Sequence, residues 1–265
     1  MPKTGAFFDA DRTLIHGHMG VLFGKHLGQR EWDAARNGSA PFGPRASRAQ
    51  LLAFGAKVRA IQVGYGLPYA LRLVKRSQLV RKAYEYYRGW PLDRLEEEAQ
   101  AFFRAALLPR VYPGARELVK RHAQQGHDTV MVTTAPYFLA RPLATELGLA
   151  NVIACGLEAV GGAATGRVMG PLYGRDKAFH MQLYASENDV SLAESWAYTD
   201  HDSDVFMLEA VGNPRAVHPN ARLRRLARER GWPVLDLRDA IQEATLAPRR
   251  RPRKRNGARA TVAGA

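Results

Sequence analysis

Gly5-Ala6-Phe7-Phe8-Asp9-Ala10-Asp11-Arg12-Thr13 joins a short apolar run to two carboxylates two residues apart, and its reading decides the fold. The apolar run reads as a strand, and Asp9 and Asp11 stand where that strand gives way to a loop. A strand-end carboxylate can attack phosphorus, and a second one beside it can move the proton. Taken alone, Asp-x-Asp-x-Thr also fits a solvated acidic turn; the rest of the chain decides between the two.

Behind the first strand, residues 16–108 read as helical. Leu67-Pro68 opens a helical pattern running to Arg88, with Pro68 suited to a first helical position and Gly89 to the terminus. Leu73, Val80, Tyr84 and Tyr87 can share one face of it. A second helix starts near Pro91, carries Glu96, Glu97 and Glu98 early, repeats Leu95, Ala99, Phe102 and Ala106, and stops at Pro109. Beyond Pro109 the pattern alternates: helix Gly114 to Gln125, strand Thr129 to Val132, helix Pro136 to Gly148, then strands around Val152-Ile153-Ala154, Ser195 to Tyr198 and Arg215-Ala216-Val217. Alternation of that kind marks a parallel sheet with crossover helices. The expected architecture is therefore α/β: a parallel-sheet core from 1–15 and 109–247, an all-helical cap at 16–108 inserted after the first strand, and a basic tail at 248–265.

Composition bounds the setting. The chain has 265 residues and a single cysteine, Cys155, which excludes an intramolecular disulfide. That single cysteine, with no apparent secretory segment, makes a reducing, cytoplasmic setting the expectation, and no stretch approaches the roughly 18 consecutive apolar residues of a membrane span. Of the net charge of +14, seven positive charges (Arg249, Arg250, Arg251, Arg253, Lys254, Arg255 and Arg259) fall in the last 17 residues. That Arg, Pro, Gly and Ala tail reads as a solubilising extension or as a weak contact for nucleic acid or anionic lipid. Residues 16–108 hold 15 Lys plus Arg against 7 Asp plus Glu, which fits a solvated helical face, an additionally anionic substrate or an encounter with a membrane surface.

In an open parallel sheet, groups at the carboxyl ends of neighbouring strands meet at a switch point. Three such ends carry polar residues here: Asp9 and Asp11, Thr133 and Thr134, and Asp200 with Asp204. Converging carboxylates repel unless a cation sits among them, and hard oxygen ligands suit Mg²⁺.

The order Asp9-x-Asp11-x-Thr13, Thr133-Thr134-Ala135-Pro136, Tyr173-Gly174-Arg175-Asp176-Lys177 and Tyr198-Thr199-Asp200-His201-Asp202-Ser203-Asp204 resembles the haloacid dehalogenase superfamily of phosphohydrolases. More closely it is similar to the phosphoserine-phosphatase-like branch, whose Rossmann-like core carries a helical cap behind the first motif. The Gly212-Asn213-Pro214 and Arg230-Gly231-Trp232-Pro233 segments share that likeness. The resemblance implies Asp9 as the nucleophile that forms an aspartyl phosphate, and Asp11 as general acid and then base. It implies Thr133 and Lys177 as phosphate-binding groups, Mg²⁺ held by Asp9, Asp11 and Asp200, and Asp204 supporting the metal or Lys177. Arg12 replaces a frequent Gly or Asn, and Thr199-Asp200-His201 replaces the commoner small-residue turn. Asp202 falls off the family spacing and reads as solvated, while His16 and His18 read as bystanders or as contacts to the leaving group.

The implied activity is Mg²⁺-dependent hydrolysis of a small phosphomonoester, with no obligatory nucleic-acid partner. Phosphoserine, histidinol phosphate, glycerol phosphate and phosphocholine all remain open as substrates. A phosphotransferase or mutase would use the same intermediate, and a nucleic-acid or membrane-surface binding protein would use the basic segments instead.

Overall fold

The computed structural model describes residues 2–36, 76–170 and 173–239. The expected helix start at Leu67-Pro68 and the basic tail lie outside the described residues. In chain order, β1 (Lys3–Phe8) leads to α1 (Met19–Arg36), α2 (Arg76–Glu85) and α3 (Leu92–Phe102). One π-turn, Phe103–Leu107, and one 3-10 turn, Leu108–Arg110, then unwind the end of α3 around Pro109. Next come α4 (Pro113–Gln124), β2 (Asp128–Pro136), α5 (Tyr137–Leu147), β3 (Asn151–Val160) and β4 (Ala163–Met169). The chain continues through α6 (Arg175–Glu187), β5 (Val190–Thr199), α7 (Val205–Glu209), β6 (Asn213–Val217), α8 (Ala221–Arg230) and β7 (Val234–Leu235).

The strands form one seven-stranded sheet in the order β4-β3-β2-β1-β5-β6-β7. Every neighbouring pair is parallel except the β3–β4 hairpin. β1 is central, with Phe7 opposite Val130 on one side and Ala197 on the other, which is why its apolar run is buried on both faces. Phe7 joins Val130, Val132, Met181 and Leu223 under α6, α7 and α8. Phe8 joins Met131, Leu118 and Leu143 under α4 and α5, with its ring stacked on Tyr198 at 4.9 Å. Helices on both faces of a mostly parallel sheet make the fold a doubly wound α/β layer structure. Among the described residues, no helix is long and apolar enough to cross a membrane.

The inserted helices share their core with the sheet. Phe23 of α1 packs at 5.3 Å on Phe102 of α3 and at 5.9 Å on Phe138 of α5, so one apolar cluster runs from insertion to sheet layer. Where the chain leaves β1 and where it returns, it pairs with itself. His16 donates its amide to the Arg110 carbonyl at 2.8 Å, and Tyr112 donates to that of Leu14 at 3.0 Å. A further attachment lies away from these crossing strands, because the turn between α2 and α3 pairs with the β3–β4 hairpin. Gly89 donates to the Ala164 carbonyl at 2.7 Å, Ala164 to that of Trp90 at 2.8 Å, and Leu92 to that of Gly162 at 3.0 Å.

The hairpin extends well beyond the strand expected around Val152-Ile153-Ala154, to Val160 and back through β4. Its turn is Gly161-Gly162, with φ of 58° and 78°, a left-handed pair that side-chain-bearing residues adopt reluctantly.

Candidate active site

Asp9 follows the last residue of β1 and is anchored through its amide to the Tyr198 carbonyl at 2.9 Å. Its carboxylate is buried and held on both oxygens. Lys177 Nζ donates to Oδ1 at 2.6 Å, and the Thr13 hydroxyl donates to Oδ2 at 3.2 Å. The loop beyond it turns tightly, with Leu14 donating its amide to the Ala10 carbonyl at 2.9 Å. Arg12 takes φ of 58° there, the left-handed region that suits Gly or Asn, and sends its guanidinium to Asp200 Oδ2 at 3.4 Å.

Asp11 is fixed by the insertion. Its Oδ1 accepts from the amide of Met19, the first residue of α1, at 2.8 Å, so a carboxylate caps the positive end of that helix. His18 Nδ1 lies 3.6 Å from the other oxygen and lines the same pocket. His16 turns its ring toward Tyr112, 6.4 Å away, and is not among the pocket residues.

Lys177 sits in the first turn of α6, behind Gly174, and is only 3% exposed. It bridges two elements, because the ammonium that holds Asp9 also donates to Asp204 Oδ2 at 2.6 Å. Arg175 points elsewhere, over the ring of Phe206 at 4.5 Å. Asp200 and Asp204 follow β5, the latter inside the 3-10 turn Asp202–Asp204 that the His201 ring caps by accepting from the Ser203 amide at 3.1 Å. Asp202, expected to be solvated, instead accepts from Asn220 Nδ2 at 2.7 Å and faces Arg222 at 3.4 Å. It braces the turn against the start of α8.

Thr133 is buried at the end of β2, and its Oγ1 accepts from the Ala135 amide at 3.2 Å. That contact uses an oxygen lone pair and leaves the hydroxyl proton free to donate. Asp9, Asp11, Thr133, Lys177, Asp200 and Asp204 thus line one pocket, together with His18, Thr134, Tyr173 and His201. Tyr173 and His201 lie inside the quoted motifs, where His201 marks only a departure from the commoner turn and neither carries a predicted role.

The charges do not balance. Burial pushes Asp9 up to about 6 against the pull of Lys177, with Asp204 and Asp11 adding repulsion. Burial likewise raises Asp200 to about 7, helped by Asp9 and opposed by Arg12. For Lys177, burial alone would favour loss of the proton, but Asp204 and Asp9 outweigh it and hold the ammonium above its ordinary range. Carboxylates whose ionised forms are this unfavourable fit a cation. Among the described residues no group of three or more His, Cys, Asp or Glu side chains is placed to hold a metal ion. Buried Asp9 and Asp200 offer hard oxygens while leaving further coordination to water and substrate, which is the Mg²⁺ habit rather than that of a structural zinc.

The model of the haloacid dehalogenase-like hydrolases matches residues 6–209. Phosphoserine phosphatase SerB1 of Mycobacterium tuberculosis is 33% identical over 242 residues, spanning 91% of this chain and 73% of its own. A protein with unknown function from Bordetella pertussis Tohama I has a similar solved structure, with a TM-score of 0.76, 24% identity and coverage of 89% of this chain and 100% of its own. A phosphoserine phosphatase in apo form shares the fold at a TM-score of 0.59 and 16% identity, over 89% and 94% of the two chains.

Proposed function

The chain belongs to the haloacid dehalogenase-like hydrolase family, in its phosphatase branch, and we propose that it hydrolyses a small phosphomonoester through an aspartyl phosphate on Asp9. The observation that carries the reading is the buried Asp9 carboxylate at a strand end, gripped by an ammonium that is itself held by Asp204.

An Asp9 oxygen attacks phosphorus and the bond from phosphorus to the leaving oxygen breaks, while Asp11 gives that oxygen its proton. Water then attacks the aspartyl phosphate and loses a proton to Asp11, the Asp9–phosphorus bond breaks, and orthophosphate leaves. The Met19 amide holds Asp11 in the pocket lining, where His18 also lies, so the second Asp11 oxygen would face the leaving group. Thr133 donates to a phosphoryl oxygen, and Lys177 neutralises charge shared between phosphoryl group and nucleophile. Asp9 and Asp200, with the backbone carbonyl of Asp11, would hold Mg²⁺, which when bound offsets phosphate charge. Asp204 holds Lys177 for the task. Residues 16–108 would act as a cap that closes over the substrate and excludes water.

The test is release of inorganic phosphate from a phosphomonoester panel, with phosphoserine included because of the relative that bears its name. No acceptor alcohol is added, so a phosphotransferase would stay silent. Asp9→Asn should lower turnover by at least about a thousandfold with the fold intact, since an amide cannot form the acyl phosphate. EDTA should silence the wild type and Mg²⁺ restore it. Phosphate release by folded Asp9→Asn at the wild-type rate would remove the nucleophile, and undiminished turnover in chelator would remove the metal.

A further inference from the structure

β2 does not end in regular pairing. Val132 lies opposite Ile153 and Pro136 opposite Cys155, so Thr133, Thr134 and Ala135 bulge from the ladder with β3. Bulges re-aim side chains beside sites, and here Thr133 and Thr134 both reach the pocket. A bulge also takes backbone groups out of the ladder, so that they can hydrogen-bond to other elements. The Thr134 carbonyl accepts from the Tyr84 hydroxyl at 3.3 Å. The buried Cys155 thiol is in hydrogen-bond contact with that same hydroxyl.

Tyr84 comes from α2, in the insertion rather than the sheet. Its ring is buried and edge-on to Tyr87 at 5.9 Å, and α2 is fastened at its end by the backbone bonds from Gly89 to Ala164 and from Ala164 to Trp90. A rigid ring on a fastened helix therefore meets the carbonyl of a residue that lines the pocket. We propose that Tyr84 is a positioning residue for the phosphate subsite: it holds the bulge in the shape that turns the Thr133 hydroxyl toward the phosphoryl group. Seating the insertion and assembling the phosphate subsite are then one event. The proposal rests on the phosphatase reading above and deepens it.

The experiment uses the full chain with Mg²⁺ and compares wild type with Tyr84→Phe, which keeps the ring and removes the hydroxyl. Hydrolysis of p-nitrophenyl phosphate gives kcat and KM, and calorimetric titration with orthophosphate gives affinity without turnover. Loss of one neutral hydrogen bond to the subsite should lower kcat/KM and weaken orthophosphate binding, each by about fivefold, with the thermal midpoint within a few degrees of wild type. A purely structural tyrosine would shift the midpoint and leave both constants of the folded protein unchanged, which would overturn the proposal. Wild type that binds orthophosphate but hydrolyses nothing would defeat the phosphatase reading alone, since the affinity ratio of the two proteins still decides on Tyr84. Wild type that does neither overturns both.

Discussion

Asp9 and Asp200 set the pH behaviour of the site. Their folded values of about 6 and about 7 lie above the roughly 4 of an unfolded carboxyl. Between those limits the native protein holds protons that the unfolded chain has released, so the stability these two groups contribute falls as pH rises through the window. Buried His122, lowered to about 3 by burial with help from His127 and Arg215, acts in the opposite sense. It stays neutral in the fold while the unfolded chain takes a proton below about 6.5, and stability is lost as pH falls. Its Nε2 faces the Tyr198 hydroxyl at 2.7 Å under the sheet, away from the pocket residues, so its effect cancels when metal-free and Mg²⁺-loaded protein are compared. Mg²⁺ should therefore raise the thermal midpoint clearly near pH 8 and scarcely near pH 5, because protons and cation compete for the same oxygens. Equal stabilisation at both pH values would exclude these carboxylates as ligands. At this scale the strand-end acids and Thr133 were legible, because a polar residue straight after an apolar run declares its own position. Tyr84 was not legible, since its partner is a main-chain carbonyl and no side-chain chemistry marks it.

Helix α3 shows what an element hides. Glu96, Glu97 and Glu98 read as one acidic first stretch, yet Glu98 is 4% exposed while its two neighbours face solvent. It meets α1, where His26 Nε2 lies 3.2 Å from one oxygen and Arg30 donates to the other at 3.2 Å. Glu98→Ala should destabilise the protein by about 1–3 kcal/mol, with the half-exposed Arg30 keeping the figure low. Glu98→Met, which fills the same volume, should recover part of that loss. A denaturant midpoint unmoved by Glu98→Ala would show the contact to be incidental. Other elements escaped the sequence reading for their own physical reasons. α8 buries Leu223 and Ala227 under a surface of arginines, too thin an apolar stripe to declare a helix. β4 runs Ala-Ala-Thr-Gly-Arg-Val-Met, with little alternation, and the one local signal for it is the Gly161-Gly162 pair at its turn.

For the whole molecule, the bonds from Gly89–Leu92 to the β3–β4 hairpin change what counts as a separable piece. If residues 16–108 are one insertion, as the sequence pattern predicts, the paired crossings at His16–Arg110 and Leu14–Tyr112 would serve as its single hinge. A lid on one hinge swings; a lid also sewn along a distant edge does not swing unless that edge travels with it. The natural unit of exchange between relatives is then discontinuous, made of the insertion together with residues 151–170. A chimera that imports a relative's insertion alone should fold less stably than one that imports both pieces, and thermal midpoints of the two chimeras compare them directly. If the single-piece chimera matches the double one, the seam is cosmetic. If it does not, the two pieces stand or fall together, although some forty residues of chain separate the end of the first from the start of the second.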